Sequence, residues 1–183
     1  KGKGLKGMTF GNLFMIALTD IFGSQIKAIE KTHQVLKTKG RVLPSTLTNS
    51  NLVAIYENGQ KIIGEHLIDE PRHSGKLKIK KAYLRPDAKA YPEAVRAIQN
   101  ADLIIIGPGD LYTSLIANLL VKGIAKAICA ARAKKVFILN LMTKYGQTYG
   151  LTAKNHMEIL EKYLGKHCLD FVLVNSKNIP PII

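Results

Sequence analysis

Several features are scarce in this 183-residue sequence, and each scarcity closes a class of protein. Cysteine occurs only as Cys129 and Cys168, too few for a small secreted scaffold held by disulfides. Each is expected as a small buried hydrophobe. No long apolar run is present either. The longest, Leu103 to Val121, is broken by Gly107-Pro108-Gly109-Asp110, whereas a membrane span needs about 20 uninterrupted apolar residues. The opening KGKGLKG has no apolar signal core or cleavage site, so a cytoplasmic protein without a membrane span is the expectation.

Acid is also scarce: 27 Lys plus Arg stand against 13 Asp plus Glu, a formal charge of +14. Yet only Arg41, Arg72, Arg85, Arg96 and Arg132 are arginine. Nucleic-acid readers lean on the forked guanidinium, and lysine spread along a chain usually marks solvated faces, so nucleic acid is a disfavoured partner. What is abundant is ordinary globular material. Hydrophobic residues are 46% and charged residues 22%, which excludes a disordered chain. The length suits one domain over residues 1–183 with a real core.

The hydrophobic period changes along the chain. Asn12–Phe22 is apolar nearly all round and predicts a helix packed on several sides. Ser24 suits the N-cap of a second helix running to about Lys39, with Gly40 placed to end it. From Arg41 to Leu84 the period becomes two. RVLPST, NLVAIYENGQKIIGEHLI and KLKIKKAYL read as strands, and Asn58-Gly59 is a strong hairpin signal. A small β-hairpin insertion at about 41–85 is expected. Its last strand alternates Leu77 and Ile79 with Lys76, Lys78 and Lys80.

Beyond Pro86 helix and strand alternate. Pro92 opens a helix to about Asn100, and DLIIIG reads as a parallel strand buried on both faces. Helical stretches follow at about 115–120 and 124–132. KVFILNL is a strand, TAKNHMEILEKYLG a helix and LDFVLV a further strand. Strands separated by helices predict an α/β, Rossmann-like protein with a largely parallel sheet and flanking helices.

Four features bear on chemistry. Gly2, Gly4 and Gly7 match G-x-G-x-x-G, but no strand precedes them to deliver a dinucleotide to a helix N-terminus. Gly107 to Ser114 (GPGDLYTS) is better placed, after a buried strand and before a helix. There backbone N–H groups can gather an anion, with Thr113 and Ser114 adding hydroxyls. The same loop equally suits a tight turn with no ligand. Asn140, Met142 and Thr143 stand past the next strand, where ligands bind in open α/β sheets. Asn140 could read a base or sugar edge, or cap the loop backbone. Finally, His33, His66, His73, His156 and His167 form no pair at metal-ligand spacing, so no metal site is expected. No Ser-His-Asp set or catalytic carboxylate pair stands out, and catalytic residues stay unassigned.

At GPGDLYTS, with FGNLFMIALTD upstream, RVLP at Arg41–Pro44, EAVRAIQNADLIIIGPG at Glu93–Gly109 and NLMTKYGQTYGLTAKNH downstream, the chain resembles the YvcK/CofD family. The order of these motifs covers almost all of it. The loop resembles that of the gluconeogenesis-factor branch more than the Ser-Asn-Pro type of the 2-phospho-L-lactate transferase branch. The resemblance implies a nucleotide-sugar-binding regulator, with a UDP-sugar such as UDP-N-acetylglucosamine as partner, tied to carbon metabolism, cell-wall precursor supply and cell shape.

In the transferase branch a nucleotide-linked donor passes a phospho-acid group to a deazaflavin acceptor with magnesium. The balance is towards a regulator without catalysis. A basic module for acidic partners is the remaining alternative, and homo-oligomerisation is left open. Carried over position by position, Gly11, Asn12, Gly107, Pro108, Gly109, Asp110, Leu111, Tyr112, Thr113, Ser114, Asn140, Met142 and Thr143 match the ligand-side motifs.

Departures accompany the resemblance. Met8-Thr9 replaces His-Ser. Asp110 replaces Ser, and a carboxylate there repels phosphate unless a cation intervenes, so Asp110 would meet a metal only if a magnesium nucleotide binds. Gln147 and Tyr149 stand where acidic residues are usual, removing metal or hydroxyl contacts. The family's first strand with its Gly-Gly-Gly-Thr-Gly-Leu loop is missing, and a fragment of a longer protein is the expectation.

Overall fold

The computed structural model describes residues 8–177, and the G-x-G-x-x-G match at Gly2, Gly4 and Gly7 lies outside the described residues. The chain divides after Pro44 into two compact units. That division leaves Arg41–Pro44 with the helices and the expected β insertion in the second unit.

The first unit is a pair of helices, α1 (Phe10–Phe22) and α2 (Gln25–Leu36). Thr9 caps α1 by accepting from the Asn12 amide, and Gly23 closes it at φ +64°. Ser24 caps α2, as expected, by accepting from the Lys27 amide. The two helices touch through apolar and hydroxyl groups, with the Thr32 hydroxyl 3.4 Å from the Met15 sulfur.

Two expectations are corrected here. No residue of α1 is buried, and Phe10 and Ile21 are 82% and 71% exposed. α2 also stops early, because Lys37 itself takes the left-handed conformation at φ +48°. Gly40, at φ +81°, turns the chain beyond the helix instead of ending it.

In the second unit β1 (Asn51–Tyr56), β2 (Lys61–Ile63) and β3 (Ile79–Arg85) form an antiparallel sheet in the order β2-β1-β3. The hairpin signal is correct in place. Tyr56 and Gln60 close the loop through a 2.9 Å backbone bond, and Gly59 supplies the positive φ, +84°. Three residues therefore turn the chain, in the common arrangement with glycine at the left-handed position.

RVLPST forms no strand, and EHLID is helical, as α3 (Glu65–Asp69). Gly64 at φ +106° ends β2 there while its amide bonds to the Leu52 carbonyl at 2.8 Å. β3 begins only at Ile79, so the lysine alternation before it lies in a turn.

The remainder is α4 (Pro92–Gln99), β4 (Leu103–Ile106), a π-helical segment (Leu111–Ile116) continuing into α5 (Ala117–Leu119), α6 (Ile124–Ala130), β5 (Lys134–Ile138), α7 (Ala153–Leu164) and β6 (Phe171–Leu173). The three strands are parallel in the order β4-β5-β6. The protein is thus α/β as the alternation predicts, with a parallel sheet beside an antiparallel one. α6 packs on α4 and α7, and Phe137, Ile116 and Leu160 are essentially inaccessible. Thr152 and Asn155 start α7 with a reciprocal capping box.

β4 departs from the expectation of burial on both faces. Ile106 is buried, but Leu103 and Ile105 are 52% and 54% exposed. Phe171 and Leu173 of β6 are exposed on the same face, since Ile105 pairs with Val136 and Val136 with Phe171. One face of this sheet packs against helices and the other is open.

The thiol expectation is also corrected. Cys129 of α6 and Cys168, just before β6, form a disulfide with Cα atoms 5.2 Å apart. The β5–α7 crossover brings these residues back together across a separation of 39. Among the described residues no helix is long and apolar enough to cross a membrane.

Candidate functional site

The parallel sheet places the ends of β4 and β5 side by side, and the loops leaving them meet. Gly107 takes φ +88°, and a Cβ there would lie 2.7 Å from the Ile138 carbonyl oxygen. Only glycine lets the loop run this close to the neighbouring strand. The Gly107–Pro108 bond is cis. Next, the Gly109 amide donates to Asn140 Oδ1 at 2.9 Å. Of the two roles open to Asn140, the described structure uses it as a cap on the loop backbone.

The chain then widens into the π-helical segment. The Ser114 and Leu115 amides both donate to the Asp110 carbonyl at 3.0 Å, a bifurcated closure. π turns of this kind often mark functional sites. Here the segment replaces the expected α-helix from 115. It buries Leu111, Tyr112 and Thr113, leaving Ser114 exposed. Tyr112 reaches the core and donates to the Ile79 carbonyl at 3.2 Å. Burial, with the nearby phenols of Tyr163 and Tyr56, pushes the Tyr112 hydroxyl far above its ordinary pKa.

The loop amides do not converge on an open space. Tyr112 and Thr113 donate theirs to Gln147 Oε1 at 3.2 and 3.3 Å. The nitrogen of the same Gln147 amide donates to Thr113 Oγ1 and to Asp69 Oδ1, each at 3.0 Å. Gln147 is buried. Its amide accepts from two N–H groups and donates to a carboxylate at once, whereas an ionised carboxylate in its place could only accept.

Asp69, delivered by α3, is one of two residues that sequence reasoning missed, Lys144 being the other. Its Oδ1 accepts from Gln147, from the Thr113 hydroxyl at 3.2 Å and from Lys144. Lys144 also donates to Asp110 Oδ2 at 2.6 Å. A cation beside Asp110 is thus supplied by the protein itself, four residues beyond Asn140. Burial alone would raise the Asp69 carboxyl, but the hydrogen bond and charge of Lys144, with the Thr113 hydroxyl, outweigh it and hold the group below the usual range. Burial likewise opposes the Lys144 charge, and the bonds to Asp110 and Asp69 more than restore it, raising its pKa.

No local pattern announces this hub, because its members come from three separated segments. Asp69 and Asp110 are the carboxylates that magnesium would meet here. The Lys144 ammonium already bridges the two carboxylates, and among the described residues no group of three or more His, Cys, Asp or Glu could hold a metal.

Of the other residues singled out from sequence, Met142 and Thr143 are exposed beyond β5. So are Tyr145 and Tyr149, whose rings meet edge to face at 5.8 Å. Gly11 and Asn12 lie in the first turn of α1, in the other unit, where Asn12 serves the Thr9 cap. His156 is buried against the Thr152 carbonyl, a structural position.

Comparison with known proteins adds the following. A family profile described as "2-phospho-L-lactate transferase CofD" matches residues 1–182. A "Putative gluconeogenesis factor" of Aquifex aeolicus is 47% identical over 178 residues, 97% of this chain and 54% of the relative. The "Gluconeogenesis factor" of Bacillus subtilis is 41% identical over 181 residues, 98% of this chain and 56% of the relative. Among solved structures, protein BH3568 from Bacillus halodurans is 38% identical with a TM-score of 0.88, over 99% of this chain and 57% of that one. The chain spans about half the length of the curated relatives it matches.

Proposed function

The chain belongs to the family of 2-phospho-L-lactate transferase CofD, and from that footing we propose that it forms part of a nucleotide-sugar-binding regulator of the gluconeogenesis-factor type. The observation that carries this reading is the junction of Gly109 with Asn140 beside Lys144. It stands at the carboxyl ends of adjacent parallel strands, the usual ligand position in such sheets.

Lys144 is the pyrophosphate-facing group in this reading, in place of the loop amides. A bound diphosphate competes with Asp69 and Asp110 for the ammonium, and Thr143 and Ser114 supply exposed hydroxyls. The exposed Tyr145 and Tyr149 suit stacking on a base. Pro108 and Met142 complete the ligand side in the same proposal, and the role is binding without turnover. The names of the relatives support the link to carbon metabolism; cell-wall precursor supply and cell shape belong to the same proposal. The cytoplasm is its compartment. There the Cys129–Cys168 bond meets a reducing environment.

Calorimetry of the full-length protein with UDP-N-acetylglucosamine tests this. Saturable heat is expected, weakened about tenfold or more by Lys144→Ala. No heat at millimolar ligand from folded protein overturns it. The family description supports a second reading, a transferase moving a phospho-acid from a nucleotide-linked donor. It requires product formation that Asp110→Asn alters.

A further inference from the structure

The bond between Cys129 and Cys168 joins the last turn of α6 to the connection between α7 and β6. We propose that it is a reversible thiol–disulfide exchange site, opened by dithiol reductants in the folded protein and acting as a clasp on that connection.

The first argument is access. Cys129 is exposed, whereas Cys168 is half-buried, so a thiolate arriving from solvent meets the Cys129 sulfur first. Lys126, one turn earlier on α6, and Lys166, two residues before Cys168, are exposed as well. Positive charge nearby favours the thiolate forms that exchange requires. The chain has no third cysteine, so the bond re-forms within the same pair.

The second argument is what the bond restrains. Residues 165–169 run between two fixed points. On one side α7 ends at Leu164, which is buried. On the other, Asp170 is held by β5. Its amide donates to the Lys135 carbonyl at 2.9 Å, and its carboxylate accepts from the Lys135 amide at 2.8 Å and the Lys134 ammonium at 3.0 Å. Between these anchors Gly165 takes φ +124° and His167 φ +59°, the latter a conformation uncommon outside glycine. A Cβ on Gly165 would lie 3.3 Å from the Cys129 sulfur, so the turn is drawn close against α6. Opening the bond lets the turn relax while both anchors stay in place.

The third argument is that reduced Cys129 has an acceptor at hand. Its sulfur lies 3.2 Å from the Leu164 carbonyl oxygen, which takes the bond a thiol donates. In the exchange, one thiolate of the dithiol attacks Cys129 Sγ, and the bonding pair leaves on Cys168, which takes a proton from water. The second thiol of the reductant, once deprotonated, attacks its own sulfur in the mixed disulfide and expels Cys129 as a thiolate that is protonated in turn. The cysteine pair gains two electrons and two protons, the dithiol becomes a cyclic disulfide, and an oxidised dithiol reverses the sequence. The proposal is independent of the nucleotide-sugar reading.

The experiment equilibrates the full chain, without denaturant at neutral pH, against mixtures of reduced and oxidised dithiothreitol. Alkylation and mass spectrometry count the thiols, far-ultraviolet circular dichroism reports the fold, and hydrogen exchange reports the turn. The pair is expected to open and re-form with the dichroism retained. Amides at 165–169 should exchange about tenfold faster or more when it is open, with Lys135 and Asp170 unchanged. In single variants treated with oxidised glutathione, Cys129 of Cys168→Ser should form the mixed disulfide at least about tenfold faster than Cys168 of Cys129→Ser. A bond that dithiothreitol opens only after unfolding overturns the proposal. So does loss of the dichroism on reduction, which marks a purely structural bridge, or unchanged exchange at 165–169. Equal rates in the two variants overturn the assignment of Cys129 as the attacked sulfur.

Discussion

Gln147 Nε2 donates to Asp69 Oδ1 at 3.0 Å across 78 residues of sequence. That bond ties the turn after β5 to the end of α3, and through Thr113 to the π-helical segment. Gln147→Glu preserves size and the acceptance from Tyr112 and Thr113, but it replaces the donor with a second carboxylate beside Asp69. A loss of about 2–4 kcal/mol in urea unfolding at neutral pH is expected, shrinking as acid protonates the new group. An unchanged midpoint at pH 7 would show that the bond does not hold this corner.

Stability should decline at both ends of the pH scale for identifiable reasons. The Asp69 carboxyl is lower in the folded chain than its unfolded value of about 3.9. Its contribution is therefore present above that pH and disappears as pH falls through the lower folded value. Lys144 and the Tyr112 phenol are both raised. Their contributions hold below the unfolded values of about 10 and are lost as pH rises through the folded ones. Urea midpoints should show a flatter acid limb in Asp69→Asn and a flatter alkaline limb in Tyr112→Phe. Limbs identical to those of the unaltered chain would remove these groups from the account.

The disulfide between Cys129 and Cys168 closes a loop across 39 residues. The chain-entropy model assigns such a loop about 4 kcal/mol, and native bridges commonly contribute about 2–4. Thiol titration of unfolded, unreduced protein should find none free, and reduction should lower the urea midpoint. Two titratable thiols before reduction would contradict the bond.

The two faces of β4–β6 should respond differently to truncation. Phe137 is 1% exposed and Ile105 54%. Phe137→Ala is expected to cost about 3–5 kcal/mol, whereas Ile105→Ala should cost less than about 1 kcal/mol. A large effect at Ile105 would reveal a face that is covered in solution.

Local chemistry made much of this molecule readable. Ser24 and Thr152 sit where capping demands, Pro92 opens its helix, and Asn58-Gly59 turns its hairpin, because each effect operates within a few residues. The alternation after Pro86 announced the parallel sheet for the same reason. The failures are equally local in origin. EHLID continues an apolar run that reads as strand, and nothing in the pentapeptide reports that Gly64 breaks the sheet before it. DLIIIG reads as buried on both sides, yet burial depends on what packs against Leu103 and Ile105.

The candidate site divides along the same line. GPGDLYTS and Asn140 stood out because glycine, strand end and polar residue occur in sequence order at the edge of an α/β sheet. Asp69 and Lys144 did not, because an ordinary Asp and an ordinary Lys acquire meaning only when α3 and the turn after β5 bring them to each other and to Asp110. From its sequence alone this protein had an α/β class, the strand and helix order after Pro86, and the loops that line one sheet edge, all set by short-range periodicity and backbone preference. Tertiary structure alone decided which amides are already satisfied, which carboxylates share a lysine and which cysteines bond, since hydrogen bonds, ion pairs and disulfides depend on distances across residues far apart in the chain.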